Sequence, residues 1–210
     1  MSSPDPPATP SPSVRAQILA TEHWSLLATR STLWSEVMSR ITIHLTVVSA
    51  SLVVLALVAQ ASGFGTPFTV LSIGLATAAL ILGTLTGVRV MNASHDDSAL
   101  ILGMNRLRAA YVALDPEVAD YLVTSWQVDR EGLMRTYTMG LPRSTFSHVA
   151  GSTAMFVNVV NALVAGTLGA LVAEAAGAGP AVTAAVGVVT GLAYLLAWLE
   201  YGRRSFATAD

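Results

Sequence analysis

Asn158 and Asn161 stand three residues apart in a stretch that carries no Asp, Glu, Lys or Arg from Ser144 to Ala173, so both amides fall on one face of one helix. An amide in apolar surroundings must find a hydrogen-bonding partner or line a wet cavity. Two uses follow: lining a pore or contacting a ligand, or bonding a neighbouring helix and fixing packing or oligomer register. A second polar stripe, Thr42, Thr46 and Ser49, continues through Val53 and Ala56 to Gln60. Its hydroxyls can line water, and they can equally bond the carbonyls of their own helix. His44 lies on a neighbouring face with Ser51, placed for proton sensing, a pore lining or a hydrogen bond to a neighbour. Glu174 is the sole charge between Arg143 and Glu200. In an oligomer it would make an acidic ring at a pore mouth; alone it would sit in water at a helix end.

The absences narrow the chemistry. No Asp, Glu, Lys or Arg occurs between Arg40 and Arg89, which removes the usual elements of proton relays, voltage sensors and ion-coupled carriers. The chain has no cysteine, so disulfides and thiolate sites are excluded. His95, Asp96 and Asp97 follow one another directly, a poor spacing for a metal site, and with Asn92 and Ser94 they are expected to cap a helix starting at Ser98. No nucleotide-binding, zinc-protease or nucleophile-elbow motif is present. An enzyme is not expected, nor a cofactor. A net charge of −2 gives no bulk attraction to nucleic acid.

These residues need helices in a bilayer to hold them. The 210 residues are 53% hydrophobic and only 11% charged, against about 25% charged in an ordinary soluble domain. Each of the two uncharged stretches is about twice the 20 or so residues that one crossing takes. The sequence therefore predicts an all-α membrane protein with four transmembrane helices in two hairpins, plus cytoplasmic amphipathic helices. Residues 1–13 hold five of the nine prolines and read as a disordered tail rather than a signal peptide. Residues 14–40 form an amphipathic helix, lying at the headgroups or packed on the protein's own cytoplasmic part. The first hairpin covers 41–91, with the turn at Gly63–Gly65. A cytoplasmic helical segment covers 92–146, the second hairpin 147–201, and a short tail 202–210. The third crossing, 147–173, puts the two asparagines near the bilayer midplane. Pro67, Pro116, Pro142 and Pro180 lie where helices begin.

All eleven basic residues are arginines, and neither short hairpin turn contains one. By the positive-inside rule both termini and the central segment face the cytoplasm. In that segment Leu100, Met104, Leu107, Tyr111 and Leu114 repeat at helical spacing, a face suited to packing on the N-terminal helix. Gly83-Thr-Leu-Thr-Gly87 and Gly187-Val-Val-Thr-Gly191 each allow close helix approach, inside the fold or between protomers.

The run Ile18-Leu-Ala-Thr-Glu-His-Trp-Ser-Leu-Leu-Ala-Thr-Arg30-Ser, with Arg40 and then Gly103-Met-Asn-Arg-Leu-Arg-Ala-Ala-Tyr111, resembles an uncharacterised family of small actinobacterial four-helix integral membrane proteins. The resemblance implies topology and source and carries over no catalytic or binding residue. Because the matching runs lie in cytoplasmic helices, Glu22, His23, Trp24, Arg30, Asn105, Arg106 and Arg108 become candidates for docking a cytoplasmic protein partner. The alternative is that they only pair the N-terminal and central helices. The expected function is an oligomeric ion channel or pore of weak selectivity; the alternative is a membrane-anchored scaffold. Homo-oligomerisation is expected because four short helices with small-residue faces bury little by themselves.

Overall fold

The computed structural model describes residues 11–141 and 144–207, and every element among them is helical. Most of the expected tail, residues 1–10, lies outside that range, as do Pro142, Arg143 and residues 208–210. The helices are α1 (Pro12–Ser62), α2 (Thr66–Leu114), α3 (Arg130–Tyr137), α4 (Thr145–Ala150), α5 (Thr153–Ala175) and α6 (Pro180–Ala207), with a 3-10 helix over Pro116–Tyr121. Four of them, α1, α2, α5 and α6, are long and apolar enough to cross a membrane.

Helix α1 starts earlier than expected because Ser11 caps it: its hydroxyl accepts from the Val14 amide at 3.4 Å, and Pro12 takes the first helical position. It continues for 51 residues without the break expected at Arg40. Helix α2 likewise runs through Asn92–Ser98, where a boundary was expected. Polar residues do not by themselves stop a helix. This stretch lacks glycine and proline, and the Ser98 hydroxyl bonds back to the Ser94 carbonyl at 2.9 Å rather than capping a new helix. At 49 residues α2 is about 74 Å long, far more than the roughly 30 Å of a bilayer's hydrocarbon core. Its stop is Asp115-Pro116. Proline forces the preceding residue into extended backbone, and the Asp115 carboxylate then caps the 3-10 helix by accepting from the Glu117 amide at 3.1 Å.

The chain divides into two compact units. The first holds residues up to Trp34 together with Ser94–Ser144. Within it the N-terminal part of α1 packs on the C-terminal part of α2. His23 stacks on Tyr111 with ring centroids 6.0 Å apart, and Leu26 fills the space beside Gly103. The buried side of α2 here is Asp97, Ile101, Met104 and Asn105, rotated from the expected face of Leu100 and Leu107. Asp129 caps α3 through the Gly132 amide at 2.7 Å. Gly132 is required where it stands, since a Cβ would overlap the Gln127 carbonyl.

The second unit holds Ser35–Ala93 and Thr145–Asp210. Its buried α2 positions are Ser72, Ala79, Gly83, Thr86, Gly87, Val90, Met91 and Ala93, which recur at helical spacing along one seam. The third crossing begins later than expected. Gly151 and Ser152 break the chain after α4, and the Ser152 hydroxyl caps α5 by accepting from the Met155 amide at 3.1 Å. Asn158 and Asn161 are thus the sixth and ninth of the 23 residues of α5, in its first half rather than at its midpoint. Helix α5 ends in a Schellman turn, with Gly177 at φ 85° and the Ala178 amide reaching the Ala173 carbonyl.

Candidate functional site

The second unit carries its arginines at one end. Glu36 accepts from Arg40 at 2.8 Å and from Arg89 at 2.6 Å, tying α1 to α2, and Glu200 accepts from both Arg203 and Arg204. Glu174, exposed in the last turn of α5, lies at the other end.

About 6 Å along α1 from Arg40 stands His44, and about 9 Å along α2 from Arg89 stands Gly83. His44 and the Asn158/Asn161 face, which the sequence shows only separately, meet here. His44 is 2% exposed, Asn158 6% and Asn161 0%. Both ring nitrogens of His44, both amide atoms of Asn161 and Oδ1 of Asn158 lack a hydrogen bond of good geometry, although the Asn161 amide lies close to the imidazole. Gly83 makes the meeting possible. A Cβ there would overlap Asn161 Oδ1 and lie 2.7 Å from His44 Cε1, so the amide fills the space where a side chain would be. A Cβ on Gly87, one turn on, would lie 3.3 Å from Asn158 Oδ1 and 3.7 Å from the Trp198 ring. Amide oxygens laid against glycine Cα atoms gain weak C–H···O contacts at best. On the α6 side the seam is closed by a Thr84–Tyr194 hydroxyl pair at 3.0 Å and by Trp198.

The other glycine pair is also used within the protomer. Cβ atoms on Gly166 and Gly191 would each lie 2.8 Å from a backbone carbonyl across the α5–α6 seam, those of Gly187 and Ala162 respectively. Small residues here bring two backbones together.

The remaining candidates are not at the cluster. Thr42, Thr46 and Ser49 are exposed, and the two threonine hydroxyls bond back to Met38 and Thr42 carbonyls at 2.9 and 2.8 Å. In the first unit, four of the docking candidates, His23, Arg30, Asn105 and Arg108, are engaged in holding that unit together. Arg30 binds Asp97 through two nitrogens at 2.6 and 3.2 Å. Asn105 is fully buried, donates to the Gln127 carbonyl at 2.9 Å, and accepts from Arg108 at 2.8 Å and Thr136 at 3.0 Å. Glu22, Trp24 and Arg106 remain exposed, Trp24 at 73%.

The sequence reading missed the hub of this unit. Asp97, 1% exposed, accepts from Arg30, from the Trp34 indole at 3.0 Å and from the Tyr137 hydroxyl at 3.0 Å. It is no helix cap. The available signal was its position on α2, four residues after buried Ala93 and four before buried Ile101, a core position occupied by an acid. Burial pushes the Tyr137 phenol up to about 12, and the neighbouring Asp97 carboxylate adds to this, while the Ser98 bond pulls the other way. A cavity of about 110 Å³ in the same unit is lined by Leu122–Gln127, Arg135 and Gly140. Comparison with known proteins adds no relative: no family model, no curated protein and no solved structure matches the chain.

Proposed function

We propose that this chain is an integral membrane protein that conducts small ions along a path inside its second unit, with His44, Asn158 and Asn161 as the polar constriction. One observation carries the reading: three almost fully buried polar side chains on two helices present five unpartnered nitrogen and oxygen atoms to one stretch of a third helix. A buried polar group left without a partner costs about 1–3 kcal/mol. A cluster of them is a place where water or an ion is gained, not merely tolerated. The arginine distribution supports α1, α2, α5 and α6 all crossing, with both termini and the first unit on the cytoplasmic side. The constriction then lies in the cytoplasmic leaflet.

This differs from a pore along an oligomer axis. With both glycine pairs engaged within the protomer, a homo-oligomer would use the exposed Thr42, Thr46 and Ser49 face for contact. The test is ion flux in liposomes carrying the purified full-length protein. Flux above empty liposomes, lost in Asn161→Leu, is the expected result; no flux under gradients of H⁺, Na⁺, K⁺ or Cl⁻ would overturn it.

A second reading, the membrane-anchored scaffold, draws on exposed Trp24, flanked in sequence by exposed Glu22. Large exposed aromatics mark interaction surfaces. It predicts that Trp24→Ala and Arg106→Ala abolish co-purification of a partner while Asn158→Ala leaves it intact.

A further inference from the structure

We infer that the ion conducted is the proton and that His44 carries it, an assignment that rests on the conduction reading above. The first argument is inventory. Between Ile41 and Val88, and in the apolar stretches of α5 and α6 from Thr153 to Ala173 and from Pro180 to Leu199, His44 is the one side chain that titrates near neutrality. The carboxylates that usually carry protons through membranes are absent, which leaves the imidazole to do so.

The second argument is fit. The cluster offers two amides and an imidazole and no carboxylate, which suits a group held by hydrogen bonds better than a divalent metal cation. Nor does the packing set aside space for one at Gly83, where the Asn161 amide already occupies the side-chain position. A proton needs no vacancy, only hydrogen-bonding atoms. A protonated imidazole has two N–H donors, and two unpartnered amide oxygens, of Asn158 and Asn161, stand on adjacent turns of α5. A neutral imidazole has one N–H and one lone pair directed to opposite sides of the ring, so the Asn161 amide can serve one ring nitrogen and a water must serve the other.

The third argument is continuation. Ser51 lies seven residues beyond His44 on the inward side of α1, about 10 Å further along. Ser72, 1% exposed, lies on the buried seam of α2, about 16 Å from Gly83 toward the same end. Each hydroxyl donates to its own helix, to the Val47 carbonyl at 2.8 Å and the Phe68 carbonyl at 2.5 Å, and so keeps lone pairs for a water in line.

The step balances without redox chemistry. A hydronium ion on the arginine-bearing side gives its proton to the bare ring nitrogen of His44 and becomes water. The imidazolium then releases the proton on its other nitrogen to a water on the far side. The ring is left neutral in the opposite tautomer, and a ring flip restores the start. The charged groups that bear on it are Glu36 and Arg40 on α1, Arg89 on α2, and Glu200, Arg203 and Arg204 on α6, all toward one end; α5 supplies no acid or base in this stretch, and Tyr194 on α6 is bonded to Thr84.

The experiment is proton flux into liposomes containing the full-length protein, read with an internal pH dye under a potassium diffusion potential, beside parallel K⁺, Na⁺ and Cl⁻ flux. The wild type should acidify the lumen, and His44→Gln, which keeps hydrogen-bonding atoms without titrating, should lose about a hundredfold of that rate. Flux of K⁺, Na⁺ or Cl⁻ without protons would overturn this assignment and leave the conduction reading standing; no flux of any ion would overturn both. Proton flux unchanged in His44→Gln would remove the role of His44. Because that variant can fail to fold, nitrogen NMR of the wild-type His44 ring in nanodiscs supplies an independent reading. The ring should change protonation state as the bath is acidified, and a ring that holds one state under every condition in which proton flux is recorded overturns the proposal.

Discussion

Both units of this protein bury polar side chains, and they treat them in opposite ways. In the first unit Asp97 and Asn105 are saturated. The carboxylate accepts from a guanidinium, an indole and a phenol, and the amide uses both ends. In the second unit His44, Asn158 and Asn161 are as deeply buried and are left open. A saturated network specifies one packing and holds it. An open one costs stability and reserves its hydrogen-bonding capacity for something that arrives later. The difference separates polar residues that build from polar residues that act.

The largest test of that contrast is Asp97→Ala. It strands the Arg30 guanidinium and the Trp34 and Tyr137 donors at once, and should cost about 3 kcal/mol of the first unit's stability, seen as lowered resistance to proteolysis of that unit. Next is Gly83→Ala, whose Cβ collides with Asn161 and His44. The expected loss is about 2 kcal/mol in a detergent melt. Gly74→Ala, with open space around its Cβ, should be neutral or better. The sharpest test is a matched pair. Asn105→Leu leaves the Gln127 carbonyl, Arg108 and Thr136 without their partner and should destabilise by about 2 kcal/mol. Asn161→Leu removes atoms that had no partner and should be neutral or stabilising by about 1 kcal/mol while ion flux falls. Equal losses in the two would erase the contrast.

The smallest effect is in the phenol titration. Tyr137 should ionise near pH 12, later than an ordinary tyrosine at 10.0, as read by phenolate absorbance. Its folded-state value is raised, so the stability it contributes is fully present below about pH 10 and is lost as pH climbs toward about 12. Tyr137→Phe should remove that late step.

Much of this was legible in the chain. The four apolar helices follow from the absence of charge between Arg40 and Arg89 and its scarcity between Arg143 and Arg203. The shared face of Asn158 and Asn161 follows from helical spacing. What spacing cannot show is which residue on another helix lies opposite. Gly83 was visible as half of a glycine pair, but its pairing with Asn161, seventy-eight positions away, is a tertiary fact. Asp97 looked like a cap because capping is local chemistry, whereas its true partner, Arg30, is 67 positions back. For the same reason the sequence leaves Arg30, Asn105 and Arg108 open between docking a partner and pairing the N-terminal and central helices. The sequence leaves open whether the cytoplasmic helix is a continuation of the second apolar helix or a separate one, because a change from apolar to polar residues reads as a boundary; α2 is continuous. Helix ends are set by proline, glycine and caps, and none occurs there.

The α5–α6 seam has a consequence for the order in which the protein is made. Gly166, Gly187 and Gly191 lie close together in sequence, and the two backbones they join are separated by a short turn. That hairpin can close as soon as both its helices have left the ribosome. The cluster around Gly83 cannot: His44 and Gly83 are synthesised early, and their asparagines arrive only with α5. During that interval the nascent first hairpin presents a bare imidazole beside a glycine notch. A chain arrested before Thr153 would hold that notch vacant, a vulnerable stage for quality-control proteases to recognise.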